Sequence, residues 1–169
     1  MERGAVTEGG LRSVFEAEHA RLWRSLLAHT GDGEIASDAV AEAFAQAVRR
    51  GEALRDPAAW VWRAAFRIAS GQLAARRRWS QAATEAQPSP DTLPDDVTAL
   101  LDALARLDDT DRRVVVLSLV GGFSATEVGR IIDASAGAVR VRLHRARKRL
   151  RVALGADARP EPTSHRRER

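Results

Sequence analysis

The sequence predicts an all-α fold of two small helical domains joined by a flexible linker. Three observations carry this. Tyrosine is absent and aromatic residues make up only 5% of the 169 positions. Ala, Leu and Val must therefore fill the interior, which suits helix packing better than a β-sandwich. Apolar residues recur at steps of three and four along most of the chain, the period of a helix with one buried side. One stretch departs from that pattern. Gln81 to Pro94 (QAATEAQPSPDTLP) holds three prolines and almost no bulky apolar side chain, the composition of a segment without packed structure.

These observations set the boundaries: a disordered lead over 1–10, a first domain over 11–80, the linker over 81–94, a second domain over 95–154 and a disordered polar tail over 155–169. In the first domain a helix is expected from Leu11 to His29. Its apolar side is Val14, Phe15, Leu22, Trp23, Leu26 and Leu27, and Thr30-Gly31-Asp32-Gly33 stops it. A second helix runs from Glu34 to Arg50, with Asp38 and Glu42 one turn apart on its exposed side. Asp56 and Pro57 then suit the cap and first turn of a third helix.

That third helix interleaves Trp60, Trp62 and Phe66 with Arg63 and Arg67 and ends in Arg76-Arg77-Arg78-Trp79. Aromatics beside cations can stack on unpaired bases and hold a phosphate backbone. The plainer alternative is that each tryptophan is core. Three adjacent arginines cannot be buried, and they readily meet phosphates.

The second domain opens with an acidic stretch. A helix over Asp95–Arg106 turns Val97, Leu100, Leu101 and Leu104 inward. A second runs from Thr110 to Val120, capped by Asp108 or Asp109, with Asp111 placed for the helix dipole. Gly121-Gly122 ends it. Ser124 with Glu127 has the S-x-x-E form of a capping box, so another helix starts there, with Val128, Ile131 and Ile132 as its apolar side. Asp133 to Gly137 breaks it, and Ser135 can cap the next helix.

The last helix separates two faces. Val139, Leu143, Ala146, Leu150 and Leu154 form one side. Arg140, Val141, His144, Arg145 and Lys148 fall mostly on the other. Seven Lys or Arg and no acid stand between Arg140 and Arg151. A short capped helix, a small-residue turn and a basic helix form a helix-turn-helix, which lays its second helix in the DNA major groove. A membrane-surface helix is the weaker alternative, because the apolar stripe is thin and interrupted by Ala146 and Ala153. The acidic part of this domain should face away from DNA and so orient the docking.

Composition excludes other classes. The net charge of +4 and pI of 10.9 are modest support for a polyanion partner; the clustering on one helix says more. Cysteine is absent, which rules out disulfides and thiolate metal sites and suits a reducing compartment. MERGAVTEGGLRS lacks the apolar run of a signal peptide. No segment reaches the roughly 20 apolar residues of a membrane span, so a cytoplasmic protein without membrane insertion is expected. His19, His29, His144 and His165 are scattered without metal-ligand spacing, and Gly121-Gly122 lacks the lysine of a phosphate loop. No metal, cofactor or catalytic residue is expected, and the chain is not expected to be an enzyme.

The residues also resemble a family. LDDTDRRVVVLSLVGGFSATEVGRIIDASAGAVRVRLHRARKRL is similar, almost end to end, to region four of bacterial RNA polymerase sigma factors of the extracytoplasmic-function (ECF) group, group IV of that superfamily. ASDAVAEAFAQAV, through Asp38, Val40, Glu42 and Phe44, resembles a region-two helix. DPAAWVWRAAFRIASGQLAARRRW, through Asp56, Pro57, Trp60 and the closing arginines, resembles the next one. The likeness runs from about Leu11 to Leu154.

The resemblance implies a dissociable polymerase subunit that gives promoter specificity. Its partners would be core RNA polymerase (clamp helices and flap), promoter DNA and an anti-sigma factor. Asp38, Glu42 and Phe44 would lie in the clamp-binding helix. Trp60, Arg63, Arg67, Arg76, Arg77 and Arg78 would engage and open the minus-ten element. Ser135, Arg140, Val141, His144, Arg145 and Lys148 would lie on the minus-thirty-five reader. Ala136 and Ala138 replace residues that are often polar in the family, so direct readout rests on Arg140, His144 and Arg145. Two other readings compete: a helix-turn-helix transcriptional regulator, and a sigma-like adapter that does not itself open promoters.

Overall fold

The computed structural model describes residues 8–82 and 94–155. Among them are seven α-helices, one short 3-10 turn and no strand. The helices are α1 (Glu8–Thr30), α2 (Gly33–Arg50), α3 (Pro57–Ala82), α4 (Asp95–Ala105), α5 (Asp109–Leu119), α6 (Ala125–Ile132) and α7 (Ala136–Ala153).

The first three pack on one another. Leu22 and Leu26 of α1 are fully buried, in one core with Val61, Trp62, Ala65 and Phe66 of α3 and the alanines of α2. Ala36, Ala39, Ala43 and Ala47 put small side chains on successive turns of α2, so its backbone can lie close to both neighbours. Burying each large side chain is worth about 1.5–3 kcal/mol. The Trp62 indole N–H donates to Glu18 Oε2 at 3.0 Å, satisfying the polar atom of that buried ring. The expected Asp56 cap forms, accepting from the Ala59 amide at 3.0 Å. Asp32, read from the sequence only as part of the stop of the first helix, also caps α2 by accepting from the Glu34 and Ile35 amides at 2.9 and 3.0 Å.

The second group centres on α5. Val114, Val116 and Leu117 are buried with Leu104 of α4, Val128 of α6 and Val139 and Ala146 of α7. Both halves of the Ser124–Glu127 capping box are made. Asp133 adopts the left-handed conformation, φ 58°, and ends α6. Ser135 then caps α7 by accepting from the Ala138 amide at 3.1 Å.

The two groups also touch each other. Phe123 packs edge-on against Trp62 with ring centroids 4.7 Å apart, and the Arg21 guanidinium lies over both rings. The Arg63 guanidinium donates to the Arg130 carbonyl.

Several sequence expectations change. Residues 8–10, assigned to the disordered lead, form the first turn of α1; the buried Leu11 anchors it, and tertiary anchoring outweighs the poor helix propensity of Gly9 and Gly10. Residues 1–7 of that lead lie outside the described residues. Of the linker, Gln81 and Ala82 belong to α3 and Pro94 precedes α4, while 83–93 lie outside the described residues, as do 156–169 of the tail. Phe15 is 42% exposed rather than core, and Leu100 also faces outward. The acidic residues do not form a separate face turned from α7. Asp111 is buried beneath α7, because two of that helix's arginines reach across to it.

Candidate nucleic-acid interface

The sequence folds α7 into an exposed cationic ridge by burying only a narrow stripe. Val139, Ala146 and Leu150 face the core and Leu143 is half-buried. Arg140, Val141, His144, Arg145 and Lys148 are all exposed, as the periodicity predicts. Arg140, Leu143, His144, Arg147, Lys148 and Arg151 line one continuous groove. Among the described residues no acid pairs with any cation of that groove, so its charge is uncompensated there.

Ser135 is exposed at the start of the ridge, where its hydroxyl is already occupied as the cap. Glu127 is held below the usual carboxylate range by the hydrogen bonds that Ser124 donates to it. That fixes the short α6 and hence the entry of the turn.

Two α7 arginines are not part of the free ridge. Arg142 Nη1 sits 2.9 Å from Asp111 Oδ1, and Arg149 Nη1 sits 3.0 Å from Asp111 Oδ2. The Asp111 side chain is only 7% exposed. Asp108 lies 3.9 Å from Arg149 and is itself the α5 cap. Its carboxyl is pulled down mainly by the hydrogen bond from the Asp111 backbone amide. Sequence reasoning missed this clamp. The partners are 31 and 38 residues apart, and an aspartate in a first helical turn already has a local explanation.

The candidate residues of the first half are differently engaged. Trp60 is half-buried, with the Arg50 guanidinium 5.1 Å from its ring. Arg63 reaches the Arg130 carbonyl across the boundary between the two helix groups. Arg67 is exposed. Arg76 pairs with Asp32 and, at 3.4 Å, with Glu34. Arg77 and Arg78 are exposed and line a hollow with Ser70 and Asp109. Trp79, just beyond them, is among the most exposed large apolar residues.

On α2, Asp38 and Glu42 are exposed. Glu42 accepts from Gln46 and Arg49, and the Gln46 amide is the first cause of its lowered pKa. Phe44 is 9% exposed and packs under Phe15 at 5.0 Å between centroids, so Phe15 is the aromatic this surface presents. No metal-holding group of three or more His, Asp or Glu occurs among the described residues, and none of their helices is long and apolar enough to cross a membrane.

Comparison with known proteins gives this geometry its context. The Sigma-70, region 4 family profile matches residues 98–150, the span from α4 to α7. The ECF RNA polymerase sigma factor SigL of Mycobacterium tuberculosis is 33% identical over 163 residues, covering 89% of this chain and 92% of the relative. The RNA polymerase sigma factor CarQ of Myxococcus xanthus is 33% identical over 162 residues, covering 86% and 92%. Two solved structures share the fold. CnrH in complex with the cytosolic domain of CnrY superposes with a TM-score of 0.69 at 21% identity, covering 89% of this chain and 91% of that one. The sigma factor RpoE in complex with the anti-sigma factor NepR from Bartonella quintana gives 0.68 at 21% identity, covering 89% and 97%. With sequence likeness over nearly the full length of such relatives and a helix-turn-helix that exposes a cationic ridge, the chain belongs to the ECF RNA polymerase sigma factors, which direct transcription initiation.

Proposed function

We propose that the chain reads the minus-thirty-five promoter element with α7 and engages the minus-ten element with α3, while α2 docks on the polymerase clamp helices. The observation that carries the upstream reading is the exposed ridge of Arg140, His144 and Lys148, whose groove no acid pairs into among the described residues, with Arg145 exposed beside it in the hollow that Asp108 and Asp111 line, on a doubly capped helix-turn-helix. In the major groove, arginine pairs bidentately with guanine. On this reading Ser135 and Val141 flank the base edges. Arg67, Arg77 and Arg78 hold backbone near the opened duplex, and Trp60 and Trp79 offer aromatic faces to unpaired bases. Arg63 and Arg76 would join them by exchanging their present partners for phosphate. Region two thus spans about 11–80 and region four about 95–154.

The protein acts by binding, without a reaction of its own, in the cytoplasm where polymerase resides. It also takes an anti-sigma partner, a reading supported by the neighbour solved with one. Capture of core RNA polymerase by the purified protein, with run-off transcription on genomic fragments, tests the proposal. Saturable binding with new start sites is expected. DNA binding without polymerase binding would make the chain a regulator, and polymerase binding without new starts would make it an adapter.

A further inference from the structure

We infer that Asp111 determines which edge of α7 meets the DNA backbone, by withdrawing Arg142 and Arg149 from it. The inference rests on the proposed reading of DNA by α7 and goes beyond it. A helix in the major groove has phosphates along both its edges, and α7 carries arginines on both. At about 100° per residue, Arg142 and Arg149 flank the buried stripe on one side, and Arg140, Arg147 and Arg151 flank it on the other.

The two edges are electrostatically different. Arg142 and Arg149 each hold one oxygen of the Asp111 carboxylate, at 2.9 and 3.0 Å, and Asp108 lies 3.9 Å from Arg149. Two acids therefore face two arginines, and one of those acids is buried. For either arginine to reach a phosphate, it must give up its bond to a carboxylate that is only 7% exposed and leave one oxygen of it without its partner, which is unfavourable. The opposite edge has no such restraint. Arg140, Arg147 and Arg151 line an open groove with His144 and Lys148, and no acid pairs with them among the described residues.

Arg147 and Arg151 are thus phosphate-contacting residues, in addition to the side chains that face the bases, and Arg142 and Arg149 are not. Asp111 is a positioning residue with a second consequence. It removes two cations from contacts that carry no sequence information, so it lowers affinity for arbitrary DNA and raises the ratio of specific to non-specific binding.

The test is the salt dependence of binding by the full-length protein to a short duplex of scrambled sequence, read by fluorescence anisotropy. Each phosphate contact contributes about 0.9 to the slope of log affinity against log salt. Arg147→Ala and Arg151→Ala should each flatten the slope by about 0.9, while Arg142→Ala and Arg149→Ala leave it nearly unchanged. Asp111→Asn should bind the scrambled duplex more tightly with a steeper slope, whereas a merely structural role for Asp111 predicts weaker binding. Equal flattening by variants of both edges, or weaker binding by a folded Asp111→Asn protein, overturns the inference. If Asp111→Asn does not fold, the comparison of the four arginine variants decides alone. A wild-type chain with no salt-dependent DNA affinity overturns the reading of α7 itself, a distinct result.

Discussion

His29 Nε2 lies 3.3 Å from Asp109 Oδ1, joining the end of α1 to the start of α5 across the boundary between the two helix groups. Ser70 of α3 completes the link, with its Oγ 3.0 Å from His29 Nε2 and accepting from Arg113 Nη2 at 3.0 Å. Arg113 also donates to Asp109 Oδ2 at 2.6 Å. His29 is completely buried, and its Nδ1 has no hydrogen-bond partner. With a carboxylate before Nε2, that nitrogen carries the proton of the neutral ring.

This arrangement makes stability depend on pH in a definite direction. Burial is the first cause that pushes the His29 pKa below its ordinary 6.5. The nearby charges of Arg112 and Arg113 add to that push, while Asp109 opposes it. Protonation would place a buried N–H at Nδ1 without an acceptor. A histidine whose pKa is depressed by folding contributes stability above its unfolded pKa, and that contribution fades as the pH falls below it. Asp109 stays ionised throughout this window, because the hydrogen bond from His29 holds its pKa far below the carboxylate range. The melting temperature should therefore fall as pH is lowered from about 7.5 to about 5.5, and His29→Gln should flatten that dependence. Thermal melts across this range check it; a flat wild-type profile would show that the packing between the groups does not sense His29.

Gly129 gives a prediction opposite in sign to helix propensity. In an exposed helix interior, Gly→Ala stabilises by about 0.5–1 kcal/mol. Here a Cβ at Gly129 would collide with the Ala134 carbonyl oxygen, in the turn that leads to α7. The carbonyl belongs to backbone and cannot rotate away. Gly129→Ala should destabilise the protein by about 1–3 kcal/mol, measured by denaturant unfolding, and should weaken DNA binding by displacing α7. A variant as stable as wild type would show that the turn can relax around the methyl group.

Local sequence was informative where the cause of structure is local. The Ser124 capping box, the Asp56-Pro57 helix start and the two faces of α7 each depend on residues within one or two turns of each other, or on a period repeated along a single helix. What escaped sequence reading depends on distant partners. Asp111 looks like an ordinary first-turn acid until Arg142 and Arg149 close over it. Phe15 lies on the apolar side of its helix by periodicity yet stays 42% exposed, because it covers the buried Phe44 from outside. His29 reads as the last residue of an amphipathic helix; only the packing of α5 against α1 supplies its carboxylate. Arg76 belongs to a run of three arginines, yet it is tied to the cap and first turn of α2 by Asp32 and Glu34.

Arg145 separates recognition from folding. It is exposed on α7, and no acid pairs with it among the described residues. Its loss should leave the melting temperature unchanged. If it contacts a base bidentately, Arg145→Ala should cost about 1–3 kcal/mol of promoter binding and relax sequence preference at one position. Run-off transcription and promoter affinity, measured beside a thermal melt, check this. Unchanged promoter affinity would move the reader's contacts toward Arg140 and His144.

The proposed docking of α2 on polymerase is tested by reversing charge on that helix. Asp38 and Glu42 are exposed one turn apart, and Glu42 is oriented by Gln46 and Arg49. Neither acid supports the core, so Asp38→Arg with Glu42→Arg should fold normally. If this face meets a basic clamp surface, the double variant should bind core polymerase at least about tenfold more weakly, a change of about 1.4 kcal/mol, with most of the effect in the association rate. Binding of the same variant to duplex DNA should be retained, since α7 is untouched. Normal polymerase binding would shift the contact from the α2 acids to the neighbouring apolar patch, where Phe15 and Val48 are the exposed side chains.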